Sequence, residues 1–379
     1  MKILVVFGTR PEAIKMAPLV HALKQEIAFE PIVCVTAQHR HMLDQVLTIF
    51  DIRPDIDLDL MRAGQDLSDI TSRALIGMRD VIKAQRPELI LVHGDTTTAL
   101  AAAMAGFYAQ IPVGHIEAGL RTHDVRSPFP EEFNRQVISK VAELHFAQTQ
   151  LSQENLLAEG IPEATTLITG NTVIDALHWV IKRLESSPER KSNVERVLDQ
   201  SLCFDWRQER FVLITGHRRE NFGDGFTQIC NAISALARKY PKLNFVYPVH
   251  LNPNVQEPVH RIIGAIDNVH LLEPMDYEPF AYLLKHSFIV LTDSGGLQEE
   301  APSLGKPVLV MRDTTERPEA VAAGTVRLVG TNAENIEAQV ADLVENSTTY
   351  ATMARAINPY GDGHACRRIV DGIKRFIQR

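Results

Sequence analysis

Short apolar runs alternate with amphipathic segments along the whole chain, as they do in proteins whose parallel strands are connected by helices. In the first half, the runs that predict buried strands are 2–7, 31–36, 89–93, 111–116, 144–147 and 166–169. In the second half, they are 211–215, 243–249, 269–272, 288–291, 307–311 and 325–329. The predicted fold class is therefore α/β, with two doubly wound, Rossmann-like domains facing a cleft.

The alternation pauses after Gly170 and restarts near residue 211, which predicts two domains. We expect an N-terminal domain over 1–170 and a C-terminal domain over 171–359, with the last helix (360–379) packing back on the first domain. The polar stretch 183–209 is predicted to be a helical connector or a surface loop. The length of 379 residues suits two cores rather than one.

Composition excludes several classes of protein. Hydrophobic residues make up 45% and charged residues 23% of the chain, as in globular proteins, and no apolar run approaches the ~18 residues that span a bilayer. The net charge is −8 and the basic residues are scattered, which argues against nucleic-acid or lipid partners. The four cysteines lack metal-site spacing, and the first residues resemble a strand more than a signal peptide. We expect a cytoplasmic protein without a bound metal.

The stretch FIVLTDSGGLQEEAPSLGKPVLVM combines a buried strand, a turn and a helix start. This arrangement directs backbone N–H groups to one point and favours phosphate there. Gly295 and Gly296 allow close approach of the backbone, Ser294 offers a hydroxyl, and the Glu300 carboxylate suits the hydroxyls of a ribose. The alternative is an ordinary strand-to-helix turn without a ligand.

Polar residues also follow the predicted strands of the first half. Arg10 ends the first strand and Lys15 lies just inside the following helix, although Lys15 taken alone is more typical of a solvated surface. Asp95 follows the strand 89–93, where a helix N-cap is the alternative. Glu117 directly follows the strand 111–116, and glutamate is a poor cap. Glu131, in the segment PEEFNR, begins a helix.

In the second half, His217 follows the strand 211–215 beside two arginines, which suits contact with an anion. Arg317 follows the fifth strand of this half. Other histidines, such as His115 and His250, are interpreted as structural. Neither G-x-G-x-x-G after the first strand nor G-x-x-x-x-G-K-[ST] is present, so dinucleotide oxidoreductases and phosphate-loop ATPases are not supported. Carboxylates in one half and a phosphate turn with cations in the other predict chemistry on the sugar of a nucleotide sugar.

Ten segments, in order along nearly the whole chain, resemble the non-hydrolysing UDP-N-acetylglucosamine 2-epimerases, particularly the enterobacterial type. They are GTRPEAIKMAPLV, VTAQHR, LVHGDTTT, GHIEAGLRT, PEEFNR, ITGNTVIDAL, TGHRREN, YPVHLNPNV, LTDSGGLQEEAPSLGKPVLVMRDTTERPE and NPYGDG. The resemblance implies the GT-B fold, a homodimer and no cofactor. It also implies an isomerase that interconverts UDP-N-acetylglucosamine and UDP-N-acetylmannosamine, and so supplies N-acetylmannosamine units for surface polysaccharide such as enterobacterial common antigen.

The resemblance also assigns roles to residues. The implied catalytic residues are Asp95, Glu117, Glu131 and His217. The implied substrate-binding residues are Arg10, Lys15, Asp95, Glu117, His217, Met275, Phe280, Ser294, Gly295, Gly296, Glu300 and Arg317. Met275 stands where related sequences have glutamine, so only a backbone contact is expected there.

The chemistry of the implied reaction agrees with these residue types. The proton on carbon 2 is too weakly acidic for simple removal, so elimination of UDP to a 2-acetamidoglucal, followed by addition from the other face, is expected. This needs a base on one face and an acid on the other. We assign Asp95 as the base in one direction and Glu117 or Glu131 as the opposite acid or oxocarbenium stabiliser. A GT-B glycosyltransferase and a nucleotide-sugar sensor are the alternatives.

Some members of this family use a second substrate molecule as an activator, bound near the AQHR segment. Gln38, His39 and Arg40 are present here. His41 and Gly64 stand where activated members carry glutamine and arginine, so regulation is left open.

Overall fold

The computed structural model describes residues 1–36, 40–62 and 64–378. Within it, the chain forms two compact units. The N-terminal unit comprises Met1–Trp179 and Tyr360–Arg379, and the C-terminal unit comprises Val180–Pro359. The first division lies after Trp179, inside a helix, and not after Gly170 as the sequence predicts.

A parallel sheet forms the centre of the N-terminal unit, and over the described residues it has the strand order β3-β2-β1-β4-β5-β6-β7. Its strands are β1 (Lys2–Phe7), β2 (Glu30–Val35), β3 (Ile56–Asp57), β4 (Leu89–His93), β5 (Val113–Ala118), β6 (Leu144–Ala147) and β7 (Thr166–Ile168). The apolar runs predict all of these strands except β3, whose two residues are too short to give a pattern.

The helices of this unit cover a sheet whose strands are apolar on both faces. They are α1 (Arg10–Lys24), α2 (Arg40–Ile49), α3 (Leu67–Gln85), α4 (Thr97–Tyr108), α5 (Glu131–Val141), α6 (Gln150–Ala158) and α7 (Thr172–Ser186), with a 3₁₀ turn at Glu163–Thr165. The small residues of α4 are buried and join Leu4, Val6, Ile90 and Val92 of the strands in one core. Because alanine adds little bulk, α4 packs closely on the sheet.

The C-terminal unit repeats this plan with the strand order β10-β9-β8-β11-β12-β13, again parallel throughout the described part. The strands are β8 (Phe211–Thr215), β9 (Asn244–Pro248), β10 (Val269–Leu272), β11 (Ile289–Thr292), β12 (Val308–Val310) and β13 (Val326–Leu328). The helices are α8 (Pro188–Ser201), α9 (Asp224–Lys239), α10 (Pro253–Ile263), α11 (Tyr277–His286), α12 (Leu297–Glu300), α13 (Pro318–Ala322), α14 (Ala333–Glu345) and α15 (Ser347–Ala354), with 3₁₀ turns at Arg219–Asn221 and Ala301–Leu304.

The last helix, α16 (Ala365–Ile377), belongs to the N-terminal unit and packs against α1. The backbone N–H groups of Ala365 and Cys366 donate to the buried Asp175 carboxylate in α7, at 3.1 and 2.9 Å. Among the described helices, none combines the length and apolar character needed to cross a bilayer.

Each sheet has a switch point, where the chain reverses the direction in which it adds strands. It lies between β1 and β4 in the N-terminal unit and between β8 and β11 in the C-terminal unit. Loops that leave neighbouring strands at a switch point separate to opposite faces of the sheet and leave a crevice, where open α/β sheets bind ligands. The loops that follow β1, β4, β8 and β11 are therefore the expected positions of ligand-binding residues.

Candidate active site

A buried glutamate connects the loops at the N-terminal switch point. Thr9 caps α1, and Glu12 completes the capping box. The Glu12 carboxylate accepts from the N–H groups of Gly8 and Thr9 at 3.0 and 2.8 Å, and from the Thr96 hydroxyl at 2.7 Å. Glu12 therefore joins the loop after β1 to the loop after β4. Burial raises the pKa of its carboxyl group. Arg10, half-buried, begins α1 beside this junction.

Glu117 has an unusual backbone conformation. The sequence analysis placed it after the strand, but it lies inside β5, with φ of +63° and a bulge between Ile116 and Ala118. A left-handed residue other than glycine costs about 1–2 kcal/mol, and such strain concentrates at functional sites. The bulge directs this carboxylate away from the regular alternation of the strand. The strand ending was mispredicted because a charged residue interrupts the apolar run.

The Glu117 carboxylate lies among donors. Lys15 forms an ion pair with it, and Asn171 donates to its Oε2 atom at 2.8 Å. The Lys15 side chain is only 17% exposed, so the solvated-surface interpretation of Lys15 is wrong. The Nε2 atom of the buried His93 lies 3.7 Å from the same oxygen. Burial lowers the pKa of His93 to about 4, so this ring is neutral at pH 7.

Asp95 follows β4 and forms an ion pair with Arg135 of α5. Its backbone carbonyl accepts from the Asn134 side chain at 2.8 Å. The N-cap of α4 is Thr96, whose hydroxyl accepts from the N–H of Ala99 at 3.1 Å, so the cap interpretation of Asp95 is wrong. Burial raises the pKa of the Asp95 carboxyl group, while Arg135 opposes this shift and the charge of Glu117 adds to it. Asp95 and Glu117 thus lie within electrostatic reach of one another.

The paired glutamates at the start of α5 differ in their surroundings. Glu132 is fully buried and accepts from the Thr122 N–H and the Gln136 side chain, at 3.1 and 2.9 Å. Glu131 begins the helix, and its buried Oε2 atom has no hydrogen-bond partner. Glu131 lies one turn before Arg135 and therefore shares its face of α5. Glu132 is thus structural, whereas one buried oxygen of Glu131 has no hydrogen-bond donor.

In the C-terminal unit, the switch point is built on Asp293. This carboxylate is fully buried directly after β11, and its Oδ2 atom accepts from the N–H groups of His217 and Arg218, both at 2.8 Å. The His217 ring is 45% exposed and stacks on His250, with ring centroids 5.3 Å apart. Burial lowers the pKa of His217, and the Asp293 charge opposes that shift. His250, interpreted as structural from the sequence, is therefore a neighbour of the candidate histidine.

The turn Ser294–Gly296 follows Asp293, and arginine lies beside it. A Cβ atom added to Gly295 would lie 3.1 Å from Glu316 Oε1 and 3.2 Å from an Arg317 guanidinium nitrogen. Arg317 is held by the buried Glu299, to which its Nε atom donates at 2.8 Å. Arg312, by contrast, is paired with Glu220 and Glu316, at 2.6 and 2.5 Å. The turn is therefore narrow, with a positioned cation at its edge.

The remaining predicted binding residues lie near the start of α11. Glu300 ends α12, and the Tyr277 hydroxyl of α11 lies 3.5 Å from its Oε1 atom. Phe280 is half-buried in α11. Met275 lies in the loop between β10 and α11, where it lines an open cavity with Leu271 and Pro279 among others. The contact between Tyr277 and Glu300 places the start of α11 next to α12, the helix that follows the turn Ser294–Gly296.

The predicted residues divide into two sets, one in each unit, and the contacts described above join Lys15 to Glu117 and Arg317 to Gly295. The N-terminal cluster consists of Arg10, Lys15, Asp95, Glu117 and Glu131. The C-terminal cluster consists of His217, Met275, Phe280, Ser294, Gly295, Gly296, Glu300 and Arg317. Of the activator segment, Gln38 and His39 lie outside the described residues, as do the side chains of Arg40 and His41. In the described part of the chain, no group of three His, Cys, Asp or Glu side chains is arranged to hold a metal ion.

Sequence reasoning missed several neighbours of these residues. Arg135 and Asn171 hold Asp95 and Glu117 but come from distant segments, so no local pattern indicates them. Asp293 carries the same signal as Asp95, a carboxylate directly after a buried strand. The sequence does not distinguish it, because Thr292 and Asp293 both suit a turn.

Two Rossmann-like domains with polar clusters at their switch points place the protein in the GT-B fold class. Its structure is similar to that of UDP-GlcNAc 2-epimerase from Neisseria meningitidis bound to UDP-GlcNAc, with a TM-score of 0.88 and 51% identity over 99% of this chain and 100% of that one. The sequence is 60% identical over 374 residues to UDP-N-acetylglucosamine 2-epimerase of Yersinia pestis, covering 99% of this chain and 98% of that protein. It is 56% identical over 374 residues to the enzyme of the same name from Escherichia coli K12, with the same coverage.

The family model described as UDP-N-acetylglucosamine 2-epimerase matches residues 21–374. The chain belongs to the UDP-N-acetylglucosamine 2-epimerase family and is an isomerase of a nucleotide sugar.

Proposed function

We propose that the protein interconverts UDP-N-acetylglucosamine and UDP-N-acetylmannosamine by eliminating UDP and adding it back. The carbon 2 proton has no adjacent carbonyl to acidify it. Breaking the bond between carbon 1 and the phosphate oxygen creates positive charge at carbon 1, and loss of the carbon 2 proton then gives a 2-acetamidoglucal. UDP returns to carbon 1 while a proton is added to the other face of carbon 2. Two proton-transfer groups are required, each contributing about 10²- to 10⁴-fold.

The observation that carries this proposal is the pair of carboxylates Asp95 and Glu117 at one switch point. Each is held by a cation, Arg135 or Lys15, so each has a fixed position. The strained backbone of Glu117 supports a functional role for that carboxylate. Asp95 is the base in one direction, and Glu117 or Glu131 acts on the opposite face. The raised pKa of Asp95 suits a group that must both accept and return a proton.

The C-terminal cluster takes the UDP moiety in this proposal. The N–H groups of the turn Ser294–Gly296 and the guanidinium of Arg317 bind the diphosphate, with His217 beside it, and Glu300 accepts from the ribose hydroxyls. Phe280 lies by the uracil, and Met275 contributes a backbone contact. Arg10 and Lys15 are the proposed substrate-binding cations of the N-terminal unit. The support is that the turn is narrow at Gly295 and that Arg317 is fixed there by Glu299.

Incubation with UDP-N-acetylglucosamine alone in deuterated water tests the proposal. Deuterium at carbon 2 of both epimers supports elimination and re-addition, because the proton exchanges with solvent. A glycosyltransferase needs an acceptor and a sensor leaves the substrate unchanged, so an absence of exchange removes the proposal. A hydrolysing epimerase would instead release free N-acetylmannosamine. A homodimer, and a role in supplying N-acetylmannosamine units for surface polysaccharide such as enterobacterial common antigen, belong to the same proposal.

A further inference from the structure

The buried Asp293 carboxylate joins two loops of the C-terminal unit. Its Oδ2 atom accepts from the backbone N–H groups of His217 and Arg218, and Asn221 Nδ2 lies 3.4 Å from the same oxygen. These donors come from the loop after β8, whereas Asp293 begins the turn after β11. One carboxylate oxygen thus fixes the backbone of His217 to the residue that precedes Ser294.

The second oxygen of Asp293 faces the His217 ring. Oδ1 is buried without a hydrogen-bond partner, and His217 Nδ1 lies 3.6 Å from it. A buried acceptor without a donor is unfavourable. A small rotation of the imidazole would bring an Nδ1–H group into bonding distance and remove that cost. The backbone is already held by the other oxygen, so only the ring has to move.

His250 constrains the His217 ring from its flat face. The two imidazoles stack with an interplanar angle of 15°. His250 Nδ1 accepts from the N–H of Asn252 at 3.1 Å, so this ring is held in its own loop. Stacking on His250 fixes the plane of the His217 ring. Within that plane, Asp293 favours the orientation in which Nδ1 faces its Oδ1 atom. The Nε2 atom is then the ring nitrogen left for a ligand.

We infer that Asp293 is a positioning residue for His217: its Oδ1 atom accepts from Nδ1–H, so that Nε2, once the ring is protonated, donates to the diphosphate of the nucleotide sugar. This rests on the proposed function, in which His217 lies beside that diphosphate. The groups that act electrostatically on His217 are Asp293, His250 and Arg218. Among them only the charge of Asp293 raises the pKa of His217, so its removal has a predictable sign.

Asp293→Asn is the direct test, because the amide oxygen can still accept from the two backbone N–H groups. The amide NH₂ group then faces His217 Nδ1 as a donor and favours the tautomer with the proton on Nε2. We expect kcat to fall at least tenfold with little change in KM, and the limb of the pH profile that belongs to His217 to move to lower pH. An unchanged profile with wild-type kcat would overturn the inference.

A double-mutant cycle separates positioning from general damage. In a His217→Gln background, Asp293→Asn should change kcat by less than about twofold, because the ring that it positions is absent. Asp175→Asn is the matched control, since Asp175 is also a buried carboxylate that accepts from two backbone N–H groups. It should leave the His217 limb of the pH profile in place. If the fold loss in kcat of the double variant equals the product of the fold losses of His217→Gln and Asp293→Asn, the inference is wrong.

A measurement on the unaltered protein covers the case in which Asp293→Asn does not fold. Nitrogen-15 spectra of labelled histidine, assigned with His217→Gln, report the tautomer of neutral His217. The inference expects Nδ1–H, and a dominant Nε2–H form would overturn it. Failure of the proposed function looks different, because wild-type protein would then give no deuterium exchange at carbon 2. If the wild type shows deuterium exchange at carbon 2 and His217→Gln keeps full activity, the proposed function stands and only the inference about Asp293 is overturned.

Discussion

Acid should destabilise the N-terminal unit through two histidines that lie behind the candidate carboxylates. His93 and His115 are both buried, and desolvation lowers their pKa values to about 4 and about 3. In the unfolded chain each ring takes up a proton near pH 6.5. Unfolding therefore takes up protons below that pH, and stability is lost progressively as the pH falls from 6.5 towards these values.

The size of the effect follows from the two pKa values. At pH 5, each histidine lowers the free energy of unfolding by about 2 kcal/mol relative to pH 8, and the pair by about 4 kcal/mol. A domain is stable by about 5–15 kcal/mol, so this loss is large. Glu12, Asp95 and Asp175 act in the opposite direction, because their raised pKa values make the folded state bind protons more readily. The test must therefore compare variants that share these carboxylates.

His115→Gln provides that comparison. His115 Nε2 lies 2.7 Å from the Gly94 carbonyl, and a glutamine amide can donate to the same oxygen. In a Trp206→Phe background, Trp179 is the one remaining tryptophan and reports on the N-terminal unit. Urea unfolding at pH 8 and pH 5 should show that His115→Gln loses about 2 kcal/mol less than its parent. An equal loss in both proteins would refute the buried, neutral state of His115.

Three further substitutions test the two clusters. Asp95→Asn should lower turnover by well over tenfold while UDP still binds by calorimetry, and wild-type turnover would exclude Asp95 as the base. Gly295→Ala should weaken UDP binding by about tenfold, because its Cβ would lie 3.1 Å from a carboxylate oxygen. Gly225→Ala, whose nearest contact would be at 3.5 Å, is its control and should bind UDP normally. Asn171→Asp should lower kcat about tenfold by placing a like charge against Glu117, and kinetics with unchanged kcat would show that this contact is dispensable.

Most of the two sheets could be predicted because parallel strands covered on both faces are continuous apolar runs. The strands β4, β6, β8 and β10 begin and end at the predicted residues. Six other strands differ from the predicted bounds by one residue at one or both ends, whereas β5 is shifted by two residues, and this larger shift has a physical cause. Glu117 is charged and left-handed, so it satisfies neither the composition nor the conformation on which strand prediction relies.

The candidate residues were easier to predict than the residues that hold them. A polar side chain directly after a buried run stands out in the sequence, which is how Asp95 and His217 were found. Their partners do not stand out, because Arg135 is 40 positions from Asp95, and Asp293 is 76 positions from His217. Only the order of the strands brings such segments together. Lys15 shows the same limit, since its burial depends on Glu117, 102 positions away.

At both switch points, a buried carboxylate accepts hydrogen bonds from the loops that leave neighbouring strands. Where two parallel strands end side by side, the loops that leave them carry backbone N–H groups that need acceptors. In the N-terminal unit, Glu12 accepts from the loop after β1 and from Thr96 after β4. In the C-terminal unit, Asp293 after β11 accepts from the loop after β8. Both acids are buried, and each lies beside a more exposed polar residue, Asp95 or His217. Holding the loops is thus the task of one acid, and its more exposed neighbour is the residue for which we propose a role at the ligand.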